Sequence, residues 1–263
     1  MIGQLVMRGM LVGLFAALLC FGFLKIVGEP SVDRAIAFES AMDEAKAKAK
    51  ADEAAAKHQP APVEEGEPEL VSRPTQAGIG LLTALLVYCT AFGGLFALGF
   101  AFAYQRMSDH LSPRATAVTL ACLGFLSLYL VPLLKYPANP PAVGLGDTIG
   151  SRTALYLSML VCSLLVAILA GMARNRLKQS LGEWNATILA IAGYLVVILG
   201  VALVLPDVNE VPEGFPAQLL WQFRIASIGG QAILWATLGV VFGIAAQGPI
   251  AGRSSTSVRP ATA

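Results

Sequence analysis

Four polar residues recur at helical intervals inside an otherwise uncharged stretch near the C-terminus: Arg224, Ser227, Gln231 and Trp235. Spacings of three and four residues place them on one face of a helix. If that helix starts near Leu219, Arg224 lies roughly 7 Å and Gln231 roughly 18 Å along its axis. An amide at the second depth, inside a bilayer, must face protein or water rather than lipid. Two readings stand for Gln231: an interhelical hydrogen bond that positions helices, or a polar step in a pathway. Arg224 either snorkels to the interface or pairs with a carboxylate, for which Asp147 and Asp207 are the candidates.

Carboxylates gather in two connections. One, 206–218, carries Asp207, Asn209, Glu210 and Glu213 with no compensating base. The other reads Lys135-Tyr136-Pro137-Ala138-Asn139-Pro140-Pro141 and, after a glycine-bearing turn, Asp147-Thr148-Ile149-Gly150-Ser151-Arg152-Thr153. Its three prolines fix φ and keep the chain extended, so the segment is a constrained structure rather than a slack link. Carboxylate and amide oxygens suit hard or borderline divalent cations, which makes Asp147, Glu210 and Glu213 candidate ligands. Their spacing matches no established metal motif. The competing readings are a solvated loop for 206–218 and helix capping for Asp147 or Thr148.

The elements that position these groups are defined by where charge is absent. Uncharged runs lie between Arg8 and Lys25, Arg73 and Arg106, Arg114 and Lys135, Arg152 and Arg174, Glu183 and Asp207, and Arg224 and Arg253. A bilayer core of ~30 Å needs about 20 apolar residues at helical rise. Five runs reach that length; in the first, Arg8 and Lys25 can snorkel to opposite interfaces. With 56% hydrophobic residues, 13% charged residues and a mean hydropathy of +0.68, the chain lies far from the soluble average. The fold class is therefore an all-α membrane protein, a polytopic bundle of about six transmembrane helices with one long, partly helical extracytoplasmic loop.

Six crossings put both termini on one side. That side collects Arg8, Arg106, Arg114, Arg174, Arg176, Lys178, Arg253 and Arg259, against Lys135 and Arg152 on the other, so both termini are expected in the cytoplasm. Residues 1–27 read as the first transmembrane helix and a retained signal anchor, since no small-x-small cleavage site follows the apolar run. Residues 28–75 form a charged extracytoplasmic loop with eleven acids and six bases. Its Ala-, Glu- and Lys-rich middle, 38–57, favours a solvated helix stopped by Pro60 and Pro62, before an acidic tether over 63–74. Residues 76–247 form a five-helix transmembrane region, and 248–263 a disordered cytoplasmic tail.

Several chemistries lack the residues they require. There is no P-loop, no Cys/His cluster, no serine nucleophile elbow and no paired intramembrane carboxylate, so no enzyme is expected. The near balance of 18 basic and 17 acidic residues argues against a nucleic-acid partner. His58 and His110 fall on opposite sides of the membrane, which disfavours haem. Cys20, Cys89, Cys122 and Cys162 each sit in a different apolar run and read as small packing residues.

The chain resembles the CbtA-type cobalt transporter subunits of bacteria over nearly its whole length. The likeness rests on Arg8-Gly9 through Glu29-Pro30, Lys135-Tyr136-Pro137-x-Asn139-Pro140-Pro141, and Asp147-Thr148-Ile149-x-x-Arg152-Thr153. Phe215-Pro216-x-x-Leu219-Leu220-Trp221-x-Phe223-Arg224 and Gln231-x-x-x-Trp235 complete it. The resemblance implies a bacterial inner-membrane protein linked to cobalt uptake for cobalamin synthesis, with transported Co²⁺ rather than a permanent cofactor. It also implies a small CbtB-like membrane partner; a homo-oligomer is a further possibility. Relatives often carry histidines in the first outer loop, where this chain has only His58. Carboxylates and water discriminate poorly among divalent ions. The alternative is a non-transporting scaffold that binds a partner through its Pro-rich outer loop.

Overall fold

The computed structural model describes residues 2–58, 71–107, 111–248 and 250. The stops at Pro60 and Pro62, most of the 63–74 tether, His110 and the tail beyond 250 lie outside the described residues. Five helices are long and apolar enough to cross a membrane: α1 (Ile2–Ala56), α2 (Arg73–Tyr104), α3 (Pro113–Lys135), α4 (Gly146–Val204) and α5 (Ala217–Ala245).

The all-α bundle is as expected, with five continuous helices in place of about six because two of the uncharged runs share α4. At 59 residues, a straight α4 would extend about 88 Å, far beyond any bilayer. It folds back at Gly182, whose φ of 76° and ψ of 165° are open to glycine and costly for residues with a Cβ. Arg174 Nε donates to Thr187 Oγ1 at 2.8 Å, and the Ser163 and Tyr194 hydroxyls meet at 2.7 Å. In a straight helix those pairs would stand about 20 and 46 Å apart. Tyr136, Met159 and Ile198 fill the contact between this hairpin and α3. The chain therefore makes six membrane-length passes with five helices.

The start of α1 and the end of α5 lie at the same end of the bundle, as an even number of passes requires. Arg8, near the start of α1, donates to the carbonyl of Ala245 at the end of α5. A cation there also complements the partial negative charge of the α5 C-terminus. At the opposite end, Lys25 Nζ donates to Ala77 O at 3.0 Å. Both charges that flank the first run are thus anchored to backbone carbonyls.

The packed core joins α1, α2, α3 and α5. Its largest fully buried side chains include Leu5, Phe100, Leu234, Leu238 and Phe242. Phe96 and Phe100 meet Phe242 edge-on, with centroids 5.4 and 5.2 Å apart. The α1–α2 crossing is the closest in the bundle. A Cβ at Gly13 would overlap the Cys89 carbonyl, and one at Gly93 the Gly9 carbonyl. Small residues at such contacts let backbones approach and recover dispersion energy that lipid cannot supply. The α4 hairpin is peripheral: only 6% of its most apolar window is buried, against 28–44% for the other helices. Its apolar side chains form the surface a bilayer covers.

The expected helix over 38–57 is present, but as a direct continuation of α1 rather than a separate element. A wide turn at Leu24–Gly28 carries the helix through, and Glu29–Ala56 continues it. The reason is local: Pro30 occupies the first turn of this continuation, where its missing N–H costs little, and no glycine or further proline follows until Pro60. Ala35 and Phe38 then pack on Val143, Phe215 and Leu219, with the Phe38 and Phe215 rings 5.0 Å apart. The extension is thus docked on the 135–152 and 205–216 connections.

Candidate functional site

The two polar connections are bound into one clamp at the end of the bundle opposite Arg8 and Ala245. Glu210 is its centre: Oε2 accepts from the Leu145 amide at 2.8 Å and from Thr148 Oγ1 at 2.9 Å, with Arg152 Nε at 3.3 Å. The Leu145 amide, then Thr148, then the Arg152 charge hold the Glu210 carboxyl below its usual range. Arg152 also donates to Leu145 O at 3.0 Å and Thr148 Oγ1 at 3.1 Å. Its guanidinium lies against Gly144, whose φ of 117° and contact with Arg152 leave no room for a Cβ. Beside it, Lys135 pairs with Asp207, and the Tyr136 hydroxyl donates to Pro206 O at 2.8 Å. Pro140 accepts from the Val143 amide at 3.2 Å, closing a turn over Pro141 and Ala142.

Arg224 joins the clamp from α5. Nε donates to Ala138 O at 3.2 Å and Nη2 to Asn139 Oδ1 at 3.0 Å. Of the two readings offered for Arg224, the pairing with Asp147 or Asp207 is not the one the structure has. The physical reason is that the Pro-rich segment folds a carbonyl and an amide over the start of α5, while Lys135 takes Asp207.

The candidate carboxylates do not converge. The Asp147 and Glu213 side chains are exposed and make no hydrogen bond or ion pair among the described residues, whereas Glu210 is engaged as described. Among the described residues, no group of three His, Cys, Asp or Glu side chains stands ready to hold a metal. Nor does Asp147 cap α4. Thr148 occupies the cap position of its regular part, with its hydroxyl committed to Leu145 O and Glu210.

The polar stripe on α5 divides three ways. Arg224 belongs to the clamp. Trp235 packs into the core, edge-on to Phe92 at 5.0 Å and Phe96 at 6.3 Å, with its indole N–H unpartnered among the described residues. Ser227 and Gln231 face a half-open cavity of about 240 Å³ between α1, α2 and α5. Ser227 Oγ lies 2.8 Å from the Tyr129 hydroxyl, and Gln231 Nε2 reaches Tyr88 at 3.5 Å. Tyr88, Cys20, Cys89 and Glu29 also line the cavity. Glu29 pairs with Arg73, which also reaches Asp33 at 2.9 Å. Sequence reasoning missed these four residues. Glu29 was marked by its place directly after the first apolar run, but Tyr88 and the cysteines carry no spacing signal.

The cavity wall is mainly apolar, with Ser227, Gln231, Tyr88 and Glu29 as its polar groups. The sequence model described as "Probable cobalt transporter subunit (CbtA)" matches residues 2–247. The chain belongs to the CbtA family. Together with the five long apolar helices, membership makes it a multi-pass membrane protein of a family described as transporter subunits. No curated protein and no solved structure matches this CbtA-family chain.

Proposed function

We propose that this CbtA-family protein carries Co²⁺, or a closely related divalent cation, across the bacterial inner membrane. The observation that carries the reading is the intramembrane cavity with Ser227, Gln231 and Tyr88 on its walls. Buried polar groups in a bilayer are costly and are retained where they line a pathway or join helices. Here Ser227 and Gln231 do both, since each also meets a tyrosine of a neighbouring helix.

In this reading the eight basic residues on the terminal side place both termini in the cytoplasm. The clamp and the α1 extension then face outward, with 28–75 as the extracytoplasmic segment and 1–27 as a retained anchor. Exposed Asp147 and Glu213 raise the local cation concentration there. Glu210 serves the clamp rather than the ion, because its charge is already met by Leu145, Thr148 and Arg152. A small CbtB-like membrane subunit is the partner, and the imported metal feeds cobalamin synthesis. A scaffold that displays its Pro-rich connection gains less support. That connection is spent on the chain's own Arg224, Pro206 and Asp207.

The test is metal analysis of cells with and without the protein, in limiting Co²⁺, with the partner co-expressed and membrane abundance verified. Co²⁺ accumulation that Gln231→Leu abolishes at normal abundance supports the pathway. Accumulation unchanged by the protein itself overturns transport.

A further inference from the structure

The cavity between α1, α2 and α5 is one-sided. Its wall on α1 runs from Cys20 to Val32, roughly 18 Å at helical rise, and its deepest residues are Cys20, Cys89 and Leu234. Beyond them the bundle is closed: Trp235 meets Phe92 and Phe96 edge-on, and Leu238 and Phe242 are fully buried. At the other end, on the clamp side of the bundle, stands Glu29, the one charged residue among those lining the cavity. Its side chain is 12% exposed and is held by Arg73 at the start of α2. Arg73 has a second partner: Nε donates at 2.9 Å to Oδ1 of Asp33, which is 59% exposed. Asp33 lies four residues beyond Glu29, on the same face of α1.

We propose that Arg73 is a tethered counter-ion that latches the outer end of the cavity. It holds Glu29 in competition with a divalent cation, and passes to Asp33 when such a cation reaches Glu29. The inference rests on the cation-transport reading and names what governs entry to that path.

A buried carboxylate without a counter-charge is costly in a bilayer, so Glu29 requires one cation or another. Two carboxylates and one guanidinium leave one net negative charge, which attracts a cation rather than repelling it. A guanidinium presents its donors as a fork, so Arg73 can lean on either acid without losing both. Opening therefore exchanges one ion pair for another instead of breaking one. The backbone is softest at the same place. Glu29 directly follows the wide turn Leu24–Gly28 of α1, and Arg73–Thr75 directly precedes the wide turn Gln76–Gly80 of α2. Such π-type turns interrupt the regular hydrogen-bond ladder and mark places where helices bend. The neighbouring cations are engaged elsewhere. Lys25 Nζ bridges the two wide turns by donating to Ala77 O at 3.0 Å, and Arg34 Nε donates to Pro30 O at 2.9 Å.

The experiment titrates the purified full chain with Co²⁺ alone by calorimetry. A competing counter-ion and a simple brace between helices predict different signs. In the latch, Arg73→Gln frees Glu29 and tightens Co²⁺ binding about fivefold or more, while Glu29→Gln weakens it by a similar factor. Asp33→Asn weakens binding on its own but leaves it unchanged in the Arg73→Gln chain, because Asp33 acts through Arg73. A brace predicts that Arg73→Gln and Glu29→Gln lower the melting temperature alike and that neither tightens binding. A second readout needs no variant: in the wild-type chain Co²⁺ speeds phenylglyoxal modification of Arg73, followed by peptide mass analysis, and leaves that of Arg152 unchanged. Both side chains are 26% exposed and paired with carboxylates, so Arg152 is the matched control. Arg73→Gln binding no more tightly than wild type, Glu29→Gln binding as wild type does, or Arg73 reactivity indifferent to Co²⁺ overturns the latch. Those failures are separable from failure of transport. The opposite shifts without uptake remove transport alone, and uptake without the shifts removes the latch alone.

Discussion

Replacing Arg224 and Asn139 singly and together measures what holds α5 to the Pro-rich connection. Arg224 makes two charge-assisted bonds, at 3.2 Å to Ala138 O and 3.0 Å to Asn139 Oδ1. A hydrogen bond to a charged group contributes about 1.5–3 kcal/mol when well enclosed. Arg224 is half-buried, so water recovers part of each bond on removal. Each bond therefore falls below that range, at about 1 kcal/mol, and Arg224→Met should cost about 2 kcal/mol for the two. Asn139→Ala removes the 3.0 Å bond alone and should cost about 1 kcal/mol. The double variant should fall short of the sum by about 1 kcal/mol, the share the pair holds jointly. Thermal unfolding in detergent micelles gives all three differences. Because asparagine does not titrate, the coupling should stay flat between about pH 4 and pH 8. Additive losses would refute the contact. A coupling that disappears in acid would show that Arg224 pairs with a carboxylate after all.

The remaining predictions concern the clamp and the α1–α2 crossing. The folded Glu210 carboxyl titrates below its ordinary value of 4.5, so its stabilisation is full above that value and is lost as pH falls through the lower folded one. Wild type should exceed Glu210→Gln in melting temperature near neutrality, and the gap should close in acid; a pH-independent gap contradicts the clamp. Gly144→Ala forces a Cβ into the Arg152 guanidinium at a φ of 117° and should cost about 1–3 kcal/mol by denaturant titration. Gly13→Val pushes α2 off α1 at the Cys89 carbonyl and should cost about 3 kcal/mol or lower membrane abundance; wild-type melting and abundance would contradict the crossing.

The bundle was legible in the sequence because charge exclusion is a one-dimensional property. A helix in lipid cannot tolerate many ions, whatever its neighbours, so the runs mark the passes. What failed was continuity. Nothing in Gly28-Glu29-Pro30 states whether α1 stops or runs on, since proline suits both a break and a first helical turn. Likewise the charged segment from Arg174 to Glu183 reads as a loop, although it is helical except at Gly182. In the site, Gln231 and Ser227 were readable from period and depth, and Arg224 from its polarity. Its partners were not, because the choice of Asn139 over Asp207 depends on how 135–152 folds across α5.

Co²⁺ entry into sealed proteoliposomes tests the central claim most directly, with the purified chain and its partner subunit reconstituted and a Co²⁺-quenched fluorophore trapped inside. Quenching faster than in protein-free vesicles and reduced by Gln231→Leu is the predicted result. Quenching no faster than in protein-free vesicles, with folded protein present in the membrane, would contradict a cation pathway through this bundle.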